Sequence, residues 1–141
     1  NHNLWTTSDK TKSIYDPCPA GWRVPDGESN GAWSNALGSS SGFTNSSLYN
    51  SANKGMNFSS KFGIASYIWY PASGYRGNDD GSLNDVGNTG NYWSASPYYN
   101  SYYYNYNNAC LMYFSSNGYV SPFSGTYRAN GQSVRCLKES K

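Results

Sequence analysis

Charged residues are scarce in this chain, and those present do not cluster. Aspartate, glutamate, lysine and arginine make up 13% of its 141 residues, against roughly 25% in an ordinary globular protein. The net charge is only +2, and the ten basic residues are spread along the sequence. Proteins that bind nucleic acid by neutralising phosphates carry their basic residues on one face. We therefore expect no nucleic-acid partner.

The sequence also lacks long apolar runs and the side chains that build most catalytic sites. No apolar segment is long enough to cross a bilayer, so we expect no direct membrane insertion. The single histidine, His2, lies near the N-terminus, and Cys110 has no charged sequence neighbour that would activate its thiol. Neither zinc-ligand spacing nor a phosphate-binding glycine loop is present. We expect no enzymatic activity and no cofactor.

Tyrosine is abundant instead. Aromatic residues make up 18% of the chain, with 15 tyrosines, and the mean hydropathy is −0.76. Disordered chains are usually charged and poor in aromatic residues, so we expect residues 1–141 to fold as one domain. Because the chain begins with Asn1 rather than Met, we expect a mature form, or a domain excised from or attached to a larger surface protein.

The tyrosines are concentrated in one stretch. Six of the nine residues from Tyr98 to Tyr106 are tyrosine, and the others are Asn or Ser. Antibody combining loops use the same mixture, since the rings give stiff contact area and the small polar groups adapt. A buried phenol needs a hydrogen-bond partner, so an ordinary core is not built this way. We predict a ligand-binding surface made of Tyr98, Tyr99, Asn100, Tyr102, Tyr103, Tyr104, Tyr106, Asn107, Tyr113, Tyr119 and Tyr127, with further contacts from the Tyr113–Tyr119 hairpin and the Ser124–Tyr127 loop.

The pattern of apolar residues predicts an α+β domain with one or two short helices, short antiparallel strands and long loops. The best helix candidate runs from Asp26, a potential N-cap, to Gly38, a potential C-terminal stop. Residues 48–62 are either a second short helix or irregular. Ala109 to Ser116 is the clearest strand, with Cys110, Met112 and Phe114 on one face. Further strands are expected over 63–75, 82–86, 92–96, 119–123 and 132–138, with a hairpin turn at Asn117-Gly118 and a loop over 124–131. Pro71 indicates an edge or a bulge in the first of them, and Val134 is expected on the buried face of the last.

Three segments resemble, in the same order, motifs of the Fibrobacter-type major paralogous domain. They are DPCPAGWRVP (16–25), GNYWSAS (90–96) and RANGQSVRC (128–136), and they frame the chain from residue 13 to 139. The resemblance implies a C-type-lectin-like fold on a bacterial cell-surface protein. That family is similar in turn to the variable proteins of diversity-generating retroelements, in which residues of the carboxy-terminal part are randomised through adenines. Asn codons changed in this way yield Tyr and Ser, as in residues 98–106 and 115–127.

The three cysteines are consistent with one disulfide and one free thiol in an oxidising compartment. Cys18 and Cys136 both lie inside the family-like motifs, so the resemblance implies that they pair and that Cys110 stays free. A bridge of this span stabilises the fold by about 4 kcal/mol on the chain-entropy model. We therefore expect an extracellular or cell-surface location.

One acidic segment is the candidate calcium site. Asp79, Asp80 and Asp85, with Asn78 and Asn84, could supply oxygen ligands, but their spacing matches no EF-hand loop and a solvated turn is the favoured interpretation. The calcium-lectin signatures Glu-Pro-Asn, Gln-Pro-Asp and Trp-Asn-Asp are absent.

The leading hypothesis for function is a binding or adhesion module for a protein or glycan ligand at the cell surface. The first alternative is a structural interaction domain of a pilus or surface assembly, whose tyrosines dock a neighbouring subunit. The second is a calcium-dependent carbohydrate-binding lectin.

Overall fold

The computed structural model describes residues 5–6, 11–59, 68–98 and 107–139. Within these ranges the chain forms one α-helix, one 3₁₀ helix and eleven strands, most of them short. In chain order they are β1 (Trp22–Arg23), α1 (Ala32–Leu37), β2 (Phe43–Thr44), the 3₁₀ helix Ser46–Leu48, β3 (Tyr49–Asn50), β4 (Gly55–Asn57), β5 (Trp69–Pro71), β6 (Tyr75–Arg76), β7 (Leu83–Asn84), β8 (Thr89–Pro97), β9 (Asn108–Ser115), β10 (Tyr119–Tyr127) and β11 (Leu137–Lys138).

The strands form four antiparallel sheets. The largest has the order β2-β10-β9-β8, and the others are β3-β4-β5, β6-β7 and β1-β11. Isolated parallel bridges join Gly74 to Gly90 and Tyr92 to Ser133, which ties the β6 region and the closing segment to β8. A mainly antiparallel fold with one short helix agrees with the predicted α+β class at that coarse level.

The hairpin of β9 and β10 is confirmed at the predicted turn. Gly118 has a φ of 89°, a conformation that favours glycine, and Asn117 Oδ1 accepts a hydrogen bond from the Tyr119 amide at 3.0 Å. The predicted loop after Phe123 is wrong, because β10 continues to Tyr127. A bulge between Ser121 and Ser124 interrupts the pairing with β9. Pro122 lies in this bulge, where its lack of an amide N–H costs no ladder hydrogen bond.

An aromatic cluster forms the main core on one face of the large sheet. Phe114 and Met112 of β9 are at most 1% exposed, and Phe58 is 1% exposed. The Phe114 ring lies 6.0 Å from Phe58, edge-on, and 6.3 Å from Tyr92, stacked. Tyr92 keeps its phenol satisfied by donating to the Pro71 carbonyl oxygen at 2.6 Å. These contacts place β4, β5, β8 and β9 around one apolar centre.

The helix is shorter than predicted at its N-terminal end. α1 begins after Gly31, and no side chain caps it. Asp26 instead forms an ion pair with Arg23 at 2.8 Å, so its carboxylate is occupied and does not cap the helix. The C-terminal prediction is confirmed, because Gly38 adopts a left-handed conformation with φ 66°. Trp33 and Leu37 are buried, as the sequence pattern indicated.

The region after the helix contains strands rather than a second α-helix. Over 48–59, the part of the second helix candidate that the structure describes, the chain forms the end of the 3₁₀ helix and then β3 and β4. Residues 60–67 lie outside the described residues. The strand predicted over 63–75 is observed as β5 and β6, and β5 with Pro71 is an edge strand, as expected. The partner strand predicted after the turn is β7.

The two ends of the described chain meet at β1 and β11. The predicted disulfide is present, with the Cα atoms of Cys18 and Cys136 5.8 Å apart. Beside it the buried carboxylate of Asp16 accepts backbone hydrogen bonds from Cys18 at 2.8 Å and from Val24 at 3.0 Å. The Lys12 ammonium lies 3.6 Å from the same carboxylate. These bonds rigidify the proline-rich segment that carries Cys18.

The closing segment is more irregular than the predicted strand over 132–138. Only Leu137 and Lys138 form β11, and Val134, expected on a buried face, is 41% exposed. Arg135 holds this segment in place, since its guanidinium lies 4.2 Å from the centre of the Tyr70 ring and donates to the Trp69 carbonyl oxygen at 2.6 Å. Backbone bonds of Ser133 with Trp93 and Asn91 replace a regular ladder.

No helix in the described ranges has the length and apolar character needed to span a membrane.

Candidate functional site

Alternation along β9 gives the large sheet two different faces. Cys110, Met112 and Phe114 point toward the core side and are at most 1% exposed, as predicted. Successive side chains of a strand point to opposite faces, so Leu111 and Tyr113 lie on the other side. Tyr113 is paired with Asn91 of β8 and Ser121 of β10. The face opposite the core is therefore lined by polar and phenolic groups.

A cavity of about 350 Å³ opens on this second face. Its volume is at the lower end of the range for small-ligand sites, roughly 300–1,000 Å³. Strands β8, β9 and β10, the β6 strand and the segment after β10 all contribute to it. The described lining residues are Tyr75, Asn91, Leu111, Tyr113, Tyr119, Ser124, Gly125, Thr126, Asn130 and Gln132.

Two of the predicted ligand-binding tyrosines meet at this cavity. Tyr113 and Tyr119 come from the two strands of the hairpin, and their ring centroids are 6.2 Å apart with planes inclined by 53°. Tyr119 also lies against Gly42, where a Cβ atom would come within 2.2 Å of the phenol oxygen. Glycine at position 42 therefore leaves room for the Tyr119 ring, which a larger residue would displace.

Tyr98, Asn107 and Tyr127 have described positions but are not among the lining, whereas Ser124, Gly125 and Thr126 of the predicted contact loop are. Tyr98 packs on Phe123 with a centroid distance of 5.5 Å, and its ring covers Gly125, itself a lining residue. Tyr98 thus supports the cavity wall from behind. Asn107 is exposed, and Tyr127 is 53% exposed at the end of β10. The predicted residues Tyr99, Asn100, Tyr102, Tyr103, Tyr104 and Tyr106 lie outside the described residues.

Amide side chains give the cavity its polar groups, and two of their oxygens have no partner. The side-chain amide of Asn91 donates to Thr89 Oγ1 and that of Asn130 to Thr126 Oγ1, both at 2.9 Å. Asn130 Oδ1 and Gln132 Oε1 are buried and accept no hydrogen bond. An unpaired buried acceptor costs about 1–3 kcal/mol. Both oxygens have almost no accessible surface in the free protein, so a donor in the cavity reaches them only when their side chains rotate.

Sequence reasoning missed half of the described lining. The sequence pattern places Tyr75 and Leu111 in strands and predicts no ligand contact for either. Asn91, Asn130 and Gln132 lie inside two of the family-like motifs, which were read as framework. The sequence did contain one signal. Asn130 and Gln132 are two residues apart in the uncharged segment 129–134, so both amides lie on one side of an extended chain.

Carboxylates of the acidic segment bond to the backbone of their own turn. Among the described residues, no group of three or more His, Cys, Asp or Glu side chains is arranged to hold a metal ion. Two of its carboxylates accept hydrogen bonds within the turn: Asp79 accepts from the Asp80 amide at 3.0 Å, and Asp80 accepts from the Ser82 amide at 2.8 Å. The bond from Ser82 lowers the pKa of the exposed Asp80 carboxyl. Asp85 adopts a positive φ of 55° at the following turn.

Cys110 has the environment of an inert thiol. Its side chain is fully buried and donates to the Pro97 carbonyl oxygen at 3.2 Å. Burial, with a smaller contribution from the negative charge of Glu28, raises the pKa of the thiol to about 12. A nucleophilic cysteine needs a lowered pKa, so Cys110 is not activated.

Comparison of the chain with protein-family models, with curated proteins and with solved structures found no match in any of the three.

Proposed function

We propose that this chain is an extracellular ligand-binding or adhesion module that holds its ligand in the cavity on the face of the large sheet opposite the core. One observation carries the proposal: Tyr113 and Tyr119, singled out by composition as contact residues, line the same concave surface. Tyrosine is enriched among residues that dominate binding energy, because its ring buries a large area with few rotatable bonds.

We further propose a C-type-lectin-like domain of a bacterial cell-surface protein. The three family-like motifs support this assignment, and the disulfide joins the first of them to the last. Disulfides persist mainly in oxidising environments, which include the cell exterior. The antiparallel strands and short helix are compatible with such a domain.

Diversification of the ligand surface is part of the same proposal. Residues 115–127 contribute four of the described lining residues, Tyr119, Ser124, Gly125 and Thr126. A near-copy of the coding region for residues 90–136, with Asn codons at Tyr positions and a reverse transcriptase gene nearby, is the expected genomic arrangement. If this genomic arrangement is absent, the proposal of diversification is wrong, and the proposal of ligand binding is unaffected.

The binding test screens the protein against a glycan array and a panel of surface proteins. We expect the double variant Tyr113→Ala/Tyr119→Ala to weaken binding of the strongest ligand by about 30-fold or more, as for hot-spot tyrosines worth about 2 kcal/mol. Tyr15→Ala is the matched control, because Tyr15 is 62% exposed and not among the lining residues. A ligand that binds the double variant as tightly as the wild type would contradict the proposed site.

A further inference from the structure

The described part of the cavity lining carries no charged side chain. Its residues are tyrosines, amides, small hydroxyl or glycine residues, and Leu111. Arg76, on the same strand as Tyr75, is directed elsewhere, since its guanidinium donates to the Gly81 carbonyl oxygen at 2.9 Å. A charged ligand group would lose its hydration here without gaining a counter-ion. The lining therefore favours a neutral ligand.

The unpaired amide oxygens favour a ligand that carries hydrogen-bond donors. The described residues hold four buried side-chain atoms without a hydrogen-bond partner, and two of them, Asn130 Oδ1 and Gln132 Oε1, belong to the cavity lining. Both oxygens are covered in the free protein. The terminal torsion of an amide side chain is broad, which lets Gln132 Oε1 turn toward the cavity, whereas the amide of Asn130 is held by its bond to Thr126 Oγ1. Hydroxyl and amide N–H groups are the neutral donors that pair with such an acceptor.

The tyrosines specify an apolar face on the same ligand. Tyr113 and Tyr119 present inclined rings 6.2 Å apart, and Tyr75 of β6 also lines the cavity. Ligand sites combine such aromatic walls with a few placed polar groups that fix orientation. A saturated ring that carries hydroxyl groups on its edge and C–H groups on its faces satisfies both kinds of lining at once.

We infer that the cavity binds a neutral, hydroxyl-rich ring, the unit of an uncharged glycan, and that it does so without a divalent cation. This inference rests on the proposed function and names its ligand class. Calcium sites rely on carboxylate ligands, and no described lining residue supplies one. Gln132 accepts from a ligand hydroxyl group, and Tyr113 and Tyr119 pack on the ring.

The test uses saturation-transfer NMR with neutral hexoses and N-acetylhexosamines, followed by an array of neutral and acidic glycans with and without EDTA. We expect neutral glycans to bind equally in both conditions. Gln132→Met keeps the length of the side chain and removes the acceptor, and it should weaken that binding about tenfold. Its thermal midpoint should not fall, because the replaced oxygen had no partner in the free protein.

Asn108→Leu is the matched control. Asn108 Oδ1 is also buried and unpaired, but Asn108 is not among the lining residues, so its replacement should leave glycan affinity unchanged. Wild-type affinity in Gln132→Met, selectivity for acidic glycans, loss of binding with EDTA, or no glycan binding at all would each overturn the inference.

The failure of the inference is separable from that of the proposed function. A surface protein bound in a manner that requires Tyr113 and Tyr119 would overturn the glycan assignment and leave the site intact. A neutral glycan that binds the Tyr113→Ala/Tyr119→Ala variant as tightly as the wild type would overturn both.

Discussion

At the scale of single residues, Cys110 shows how burial decides the chemistry of a side chain. Its thiol is fully buried on the core side of β9, and its pKa is raised from 9.0 to about 12. The neighbouring Tyr92 phenol is affected in the same way, since burial raises its pKa from 10.0 to about 12. Both groups keep their protons in the folded protein at pH values where the unfolded chain releases them.

This difference predicts a loss of stability in alkali. Above about pH 9 the unfolded state binds fewer protons than the folded state at Cys110, so the free energy of unfolding falls as pH rises. The stabilisation is complete below the unfolded pKa and is lost as pH rises toward 12; Tyr92 adds to the loss above about pH 10. Between about pH 8.5 and 10 we expect wild type to lose about 1 kcal/mol more than Cys110→Ala.

Thermal unfolding on first heating, followed by circular dichroism across that pH range, measures the effect. Equal alkaline losses in wild type and Cys110→Ala would show that the thiol does not hold its proton in the folded state.

Residue-level prediction from sequence succeeded where alternation was strong. The burial of Cys110, Met112 and Phe114 followed from their spacing on one strand. It failed at Val134, because the closing segment is held by the side chain of Arg135 and by single backbone bonds rather than by a regular ladder. The spacing of Asn130 and Gln132 indicates a shared side, but their position in the cavity depends on the backbone bonds of Ser133 to β8, which join residues far apart in sequence.

At the scale of elements, β9 separates the core from the binding surface. Its core-facing residues contact Phe58, Tyr92 and their neighbours, while Leu111 and Tyr113 belong to the cavity. The bulge in β10 between Ser121 and Ser124 adds one residue to that strand relative to β9. Bulges re-aim side chains near functional sites, and here Ser124, Gly125 and Thr126 follow the bulge and line the cavity.

The two phenylalanines of neighbouring strands test this division. Phe114→Ala on β9 should lower the free energy of unfolding by about 3–5 kcal/mol, as for a large core side chain. Phe123→Ala, the matched change at the half-buried bulge of β10, should cost about 1 kcal/mol, the typical effect of a point mutation. Urea unfolding of both variants gives the comparison, and equal costs would mean that the core is not confined to one face of the sheet.

Element boundaries were predictable where the backbone itself carried the signal. Asn117-Gly118 predicted the hairpin and Gly38 predicted the end of α1, because both positions need a turn conformation that those residues adopt readily. The start of α1 was wrong because Asp26 pairs with Arg23 instead of capping. Both the cap and the ion pair with Arg23, three residues away, are available to Asp26 in the local sequence, and the sequence pattern does not decide between them.

At the scale of the whole molecule, the disulfide and the closing segment fix the chain around the cavity, whose described lining is aromatic and uncharged. Cys18 and Cys136 are 118 residues apart in sequence, and closing so long a loop restricts the unfolded chain strongly. The bonds of Ser133 to β8 then fix the segment that carries Asn130 and Gln132 against the sheet. A rigid frame of this kind lowers the ordering cost of binding.

Chemical-shift mapping tests the central claim most directly. Isotope-labelled protein is titrated with the strongest ligand from the screen, and the backbone amide shifts are followed. The account predicts that the largest changes occur at Tyr113, Tyr119, Gly125 and Gln132, with little change at Ile14, Asp79 and Tyr127. Large changes confined to the segment from Asp79 to Asp85, with none at the cavity, would contradict it.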